Sequence, residues 1–155
     1  MTNKQAAAFI GHTAARLGRQ VEQALAKVDL SSAQYRMLFQ LVDGAEASTT
    51  LARKLEVSAP SVTAVVDGLA NRGLIERTHS SEDRRKVSLD LTDEGRKVLT
   101  LADESVEAHL RMIAGHLEGT NADELLDDLL VWSEALDAYR AARMARRARK
   151  EVGKV

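Results

Sequence analysis

The chain has no cysteine, which excludes structural disulfides, thiolate catalysis, cysteine-based zinc sites and sensing of oxidants through a thiol. It has one proline, and aromatic residues make up only 3%. No apolar run approaches the roughly 20 residues that a bilayer-spanning helix needs, and Met1 to Phe9 lacks the basic patch followed by an apolar stretch that marks a signal peptide. These absences predict a soluble, cytoplasmic protein. What is present is an apolar fraction of 45% in 155 residues, enough to bury a sizeable core. Alanine, leucine and valine with few helix breakers predict a mainly helical chain. The length fits one domain, or one domain with extra helices for pairing.

The net charge of −1 conceals a segregation. From Arg140 to Val155 the chain carries Arg140, Arg143, Arg146, Arg147, Arg149, Lys150 and Lys154 against Glu151 alone. From Asp103 to Asp137 it is acidic, with Arg111 the single base. Total charge therefore argues neither for nor against a nucleic-acid partner, and local features have to decide.

Apolar spacing divides the chain. Ile10, Ala14, Leu17, Val21, Leu25 and Val28 recur at intervals of three and four, predicting an amphipathic helix over 3–28. Ser31 and Ser32 supply the N-cap of a second helix with Tyr35, Leu38, Leu41 and Val42 inward, ending near Gly44. Ser48 and Thr49 open a short helix over 50–55. Ser58 caps another, with Pro60 in its first turn and Gly73 closing it. The period then shortens: Leu74–Thr78 and Val87–Leu91 read as two strands joined by the charged loop His79 to Lys86. Thr92 caps a helix running to about Leu117, with Asp93 and Glu94 where the dipole favours acids. Asn121 begins a last helix that reaches into the basic tail. A two-stranded hairpin is marginal alone and must lean on helices. Two short helices, a tight turn and a hairpin give a mainly α fold with a small β-hairpin wing, the layout of a winged helix-turn-helix.

Residue by residue, this segment resembles the MarR family (multiple antibiotic resistance regulators). The resemblance runs through Leu51-Ala52-Arg53-Lys54-Leu55, Val57-Ser58, Val62-Thr63, Val66-Asp67 and Leu69, then Arg72-Gly73-Leu74-Ile75-Glu76-Arg77. It closes with Asp83-Arg84-Arg85 and Leu91-Thr92-Asp93-Glu94-Gly95, the family's wing signature of Asp-x-Arg followed by Leu-Thr. The resemblance implies a homodimeric, DNA-binding transcriptional repressor on a near-palindromic operator. Its divisions are an N-terminal dimerisation helix (1–30), a winged helix-turn-helix DNA-binding domain (31–95) and C-terminal dimerisation helices with the basic tail (96–155). Two recognition helices then lie about one DNA turn apart, roughly 34–36 Å.

The residues support this on physical grounds. Over 59–72, Val62, Val65, Val66 and Leu69 share a face that must be buried. The opposite face, Pro60, Ser61, Thr63, Ala64, Asp67, Gly68 and Asn71, is small or neutral-polar apart from one acid, and so thin a face can sink into a major groove about 12 Å wide. Ser58, Ser61 and Thr63 near the helix N-terminus are candidates for phosphates or base edges. Position 64, often basic in relatives, is Ala64, and no long donor projects from the middle of the helix, so specificity is expected to lean on DNA shape and on the wing. Asp67 must sit beside an arginine or away from the phosphates. At the wing tip, Arg84, Arg85 and Lys86 accompany Glu82 and Asp83. The resemblance implies that Arg85 enters the minor groove while Asp83 orients it. Arg77 on the strand behind, and Arg53, are candidate phosphate contacts.

Leu125, Leu126, Leu129, Leu130, Val131, Trp132 and Leu136 leave the last helix apolar around much of its circumference, as an intersubunit helix requires. For the basic tail three readings stay open: a solvated helix end, the partner's acidic region, or DNA. The resemblance also implies release from DNA by a small, often anionic aromatic effector, for which His12, Arg16, Tyr35 and Met37 are candidates beside ordinary packing. No cofactor is implied. Signatures of nucleotide-binding, serine-hydrolase and zinc-protease enzymes are missing, and His109 and His116 stand about 10.5 Å apart along a helix, too far for one metal. The alternative to a regulator is a winged-helix protein-interaction module with little DNA affinity, against which Asp83-Arg84-Arg85 argues.

Overall fold

The apolar spacing resolves into six helices and three short strands in a computed structural model that describes residues 3–79 and 87–152. In chain order these are α1 (Asn3–Ala26), α2 (Ser32–Gln40), β1 (Glu46–Ala47), α3 (Ser48–Leu55), α4 (Ala59–Asn71), β2 (Ile75–His79), β3 (Val87–Leu91), α5 (Asp93–Ala114) and α6 (Ala122–Val152). The chain divides into two compact units, Met1–His109 and Leu110–Val155. No helix among the described residues is long and apolar enough to cross a membrane.

Helix ends follow local chemistry. Ser31 caps α2 in a full capping box: its hydroxyl accepts from the Gln34 amide at 3.2 Å while the Gln34 side chain accepts from the Ser31 amide at 3.0 Å. Thr92 Oγ1 accepts from the Gly95 amide at 3.0 Å, and Asn121 Oδ1 from the Asp123 amide at 3.0 Å. Gly73 holds φ +68 just past α4, the left-handed stop that its position predicts. Two expected boundaries move. α3 begins at Ser48 with Ala47 as a cap that offers no side-chain bond, so neither Ser48 nor Thr49 does the capping. α2 ends at Gln40, which leaves Val42 outside the helix and 45% exposed rather than inward.

The sheet is larger than the expected hairpin. β2 and β3 pair antiparallel, with Ile75 opposite Leu91 and Arg77 opposite Leu89. β1 adds to the other edge of β3, Glu46 opposite Leu89 and Ala47 opposite Ser88, giving the order β1-β3-β2. A third strand, paired ahead of α3, gives the hairpin the lateral support that two strands lack. Lys54 of α3 forms an ion pair with Glu46, joining that strand to the next helix.

In the first unit, Leu25, Leu38, Leu41, Leu51, Leu55, Val62, Val66, Leu69, Leu89, Leu91 and Leu99 are buried in one cluster. This draws on α1 through α5 and the sheet, so the two short helices and the base of the hairpin share a single core. Val65 packs at the edge of this cluster, partly buried.

Tyr35 stands at the edge of the same core and donates from its hydroxyl to Asp103 Oδ1 at 2.6 Å. Burial, together with the adjacent Asp103 carboxylate as acceptor and charge, pushes its phenol above the ordinary tyrosine range. Because the folded value exceeds the unfolded one, the contribution is intact below about pH 10 and is lost as pH climbs beyond it. Tyr35→Phe is expected to cost about 1–2 kcal/mol at neutral pH. It should also flatten the alkaline fall in stability, as read by urea unfolding at about pH 8 and pH 10.5. Equal alkaline slopes in the two proteins would remove Tyr35 as the titrating group.

Candidate nucleic-acid interface

Two short helices and the turn between them build the candidate surface. α3 stops at Glu56, which adopts φ 55 in the left-handed region, and the chain re-enters a helix through Ser58 at φ −71, ψ 152. Ser58 Oγ accepts from the Ser61 amide at 3.3 Å and lies 2.7 Å from Ser61 Oγ. Pro60 occupies the first turn of α4, where its missing amide proton costs nothing.

α4 divides into two faces. Val62, Val66 and Leu69 are buried, and Ser58, Ala59, Pro60, Ser61, Thr63, Ala64, Asp67 and Asn71 are exposed. One assignment changes. Gly68 is half-buried, and a Cβ there would meet Gln34 Nε2 at 3.6 Å, so it faces α2 rather than the open side. The open face is therefore narrower than the helical wheel suggests, and every side chain on its first two turns is short.

Hydrogen bonds on this face leave it ready to accept partners. Thr63 Oγ1 donates to the Ala59 carbonyl at 3.1 Å, so its methyl and its lone pairs are what the face presents outward. Ser58 and Ser61 share one hydroxyl contact at the helix N-terminus, where the dipole favours an anion.

Asp67 meets the requirement drawn from its charge: it is ion-paired with Arg77 of β2, and both side chains are about half exposed. The pair joins the recognition helix to the strand beneath the hairpin and neutralises the one acid that faces outward on α4. Arg77 thus stands beside the exposed face of α4, with one guanidinium nitrogen committed to Asp67. Arg53 is exposed on α3. Asp83, Arg84, Arg85 and Lys86 lie outside the described residues.

The effector candidates are spread out. His12 and Arg16 are exposed on α1, Tyr35 is bonded to Asp103, and Met37 is 1% exposed in the core. Met37 lines a cavity of about 60 Å³ with Arg36, Leu55, Val62 and Val65. An engineered cavity that takes benzene measures about 150 Å³, so this space is too small for an aromatic carboxylate as it stands. Arg36, which sequence reading passed over, donates from Nη2 to the Leu55 carbonyl at 3.1 Å and closes the C-terminus of α3 against α2. No spacing rule announces such a contact, since its two ends lie on different helices.

A short helix, a left-handed turn, a second helix with an open polar face, and a three-stranded sheet behind it define a winged helix-turn-helix. The MarR family model matches residues 30–87. The HTH-type transcriptional regulator FarR of Neisseria gonorrhoeae is 32% identical over 131 residues, covering 83% of this chain and 89% of that protein. The chain belongs to the MarR family of helix-turn-helix transcriptional regulators. It is also 30% identical over 112 residues to the HTH-type transcriptional repressor YetL of Bacillus subtilis, covering 70% of this chain and 65% of that relative's length, just under two thirds. Among solved structures, the transcriptional repressor CouR bound to a 23-mer DNA duplex is 32% identical. Its TM-score is 0.65, and the match covers 80% of this chain and 89% of that one.

Proposed function

We propose that the protein is a homodimeric transcriptional repressor that binds a near-palindromic operator in double-stranded DNA and acts in the cytoplasm by binding rather than catalysis. In this reading α4 enters the major groove, with Ser58, Pro60, Ser61, Thr63 and Ala64 against the DNA. Arg85 enters the flanking minor groove, oriented by Asp83, with Arg84 and Lys86 near the phosphates. The observation that carries it is the open face of α4: exposed, short, without unpaired acid, and held on a core that includes the base of the hairpin. The likeness to CouR, a repressor solved on a DNA duplex, supports the same reading.

Dimerisation is assigned to residues 1–30 and 96–155. Phe9 and Ile10 on α1 are 61% and 68% exposed, and Leu130, Val131 and Trp132 on α6 are 64–66% exposed. Side chains of this size are anchors of interfaces rather than of free surfaces. A small anionic aromatic effector would release the DNA by favouring a different spacing of the two recognition helices.

The test is fluorescence anisotropy with the chain's own upstream intergenic DNA across a salt series. The expected result is tight binding that weakens steeply with salt, and a loss of about 10- to 100-fold in Arg85→Ala. Binding no better than to a random duplex at low salt would refute operator recognition in that DNA and leave the interaction-module reading in its place.

A further inference from the structure

Helix α6 carries its charges in two blocks. Its first half, 122–137, holds Asp123, Glu124, Asp127, Asp128, Glu134 and Asp137 with no base. Its second half, 138–152, holds Arg140, Arg143, Arg146, Arg147, Arg149 and Lys150 against Glu151 alone. The helix dipole explains acids in the first turn and bases in the last. It does not explain Glu134, about three turns from the nearer end, and Asp137 and Arg140, where the blocks meet, pair with each other at 3.6 Å. A merely solvated helix would interleave the signs, because an acid placed four residues before a base gains a favourable pair.

Between and around the blocks the helix exposes its largest apolar side chains. Leu130 is 66% exposed, Trp132 64%, Leu136 59% and Tyr139 64%. Tryptophan and tyrosine held outward in this way are the residues that anchor interfaces.

We propose that α6 pairs with the α6 of a second copy in antiparallel orientation, crossing near Leu136, so that each acidic half lies along the basic half of its partner. The proposal rests on the dimer reading above and adds orientation, register and the role of the basic tail. A parallel pair aligns acid with acid and base with base. An antiparallel pair about a twofold axis brings opposite signs together twice over. A crossing at Leu136 sets Arg146 and Arg149 opposite Leu126 and Asp123, within one turn of Glu124 and Asp127. The same crossing sets Trp132 opposite Arg140, where a guanidinium can stack on the indole. The basic tail is then an electrostatic clasp between subunits, and the acidic run of the same helix is its receptor.

Because the chain has no cysteine, introduced ones report orientation without background. Asp127→Cys and Ala145→Cys, both at exposed positions, are made separately, mixed, and treated with a flexible bismaleimide at low and high salt. The antiparallel register gives a 127–145 cross-link in the mixture, no self-cross-link in either variant alone, and a yield that falls with salt. Self-cross-linking of each variant means a parallel pair and overturns the proposal. A dimer by sedimentation equilibrium with neither cross-link removes α6 from the interface and overturns it while the dimer reading survives. A monomer at all concentrations removes both.

A second measurement tests the charges. Arg146→Glu with Arg149→Glu is expected to weaken the dimer about tenfold or more at low salt. Adding Glu124→Lys and Asp127→Lys to the same chain should restore most of that loss. If the arginine reversals leave the dimer constant unchanged and lower only DNA affinity, the basic half is a DNA contact and the clasp is refuted.

Discussion

Gly95→Ala is expected to destabilise the protein by about 3 kcal/mol or more, although an alanine inside a helix would normally add about 1 kcal/mol. Gly95 lies in the first turn of α5, where a Cβ would stand 1.9 Å from the Leu74 carbonyl oxygen, 2.9 Å from the Leu74 carbonyl carbon and 3.1 Å from Leu91 Cδ2. Two of these neighbours are backbone and cannot turn aside. Relief requires α5 to lift away from the end of α4, where two hydrogen bonds hold it. The Thr92 amide donates to the Leu74 carbonyl at 3.2 Å, and Thr92 Oγ1 donates to the Gly73 carbonyl at 2.7 Å. Losing or stretching both adds about 1 kcal/mol each. In thermal melts at fixed protein concentration the midpoint should fall by about 6–12 °C. The sign decides the matter, since a stabilised Gly95→Ala would mean that helix propensity rules here and that the close approach does not exist.

Ala64→Glu is expected to lower operator affinity by about 100-fold or more while leaving stability within about 0.5 kcal/mol. Ala64 is exposed in the middle of α4, and glutamate is a good helix former, so the fold has no reason to object. A longer anionic side chain on that face would thrust a charge at the phosphates and occupy the space a base edge needs. Asp67 is tolerated on the same helix because Arg77 holds and neutralises it. Ala64→Lys should do the reverse, tightening binding to any duplex and steepening the salt dependence by about one charge. Wild-type affinity in Ala64→Glu at low salt would take α4 out of the groove.

The sequence and the structure agree where one residue's chemistry decides the local outcome. Ser31, Ser58, Thr92 and Asn121 cap as hydroxyls and amides should, and Gly73 supplies the left-handed stop. The burial of Val62, Val66 and Leu69 follows from helical spacing alone. The pairing of Asp67 agrees with the expectation that the lone acid on this face sits beside an arginine. What escaped reading depends on distant partners. β1 is two residues long and shows no alternation; it is a strand only because β3 offers Ser88 and Leu89 an unpaired edge. Val42 leaves the inward stripe because α2 ends before it. Gly68 looked like part of the open face, yet Gln34 covers it. The demand for glycine at position 95 comes from a carbonyl on the far side of a hairpin, and no local pattern encodes that.

β3 is the middle strand, bonded on one edge to the residues before α3 and on the other to those after α4. The base of the hairpin is therefore fixed by Leu89, Leu91 and Ile75 in the core, independently of whatever residues join β2 to β3. In the function proposed above, substitutions in that joining segment alter what the hairpin prefers without disturbing the helix in the other groove. Changes on the open face of α4 can likewise proceed without unsettling the hairpin. A lineage carrying this frame has two dials for its target sequence that mutation can turn one at a time, so new operators can be reached through intermediates that still fold and still bind.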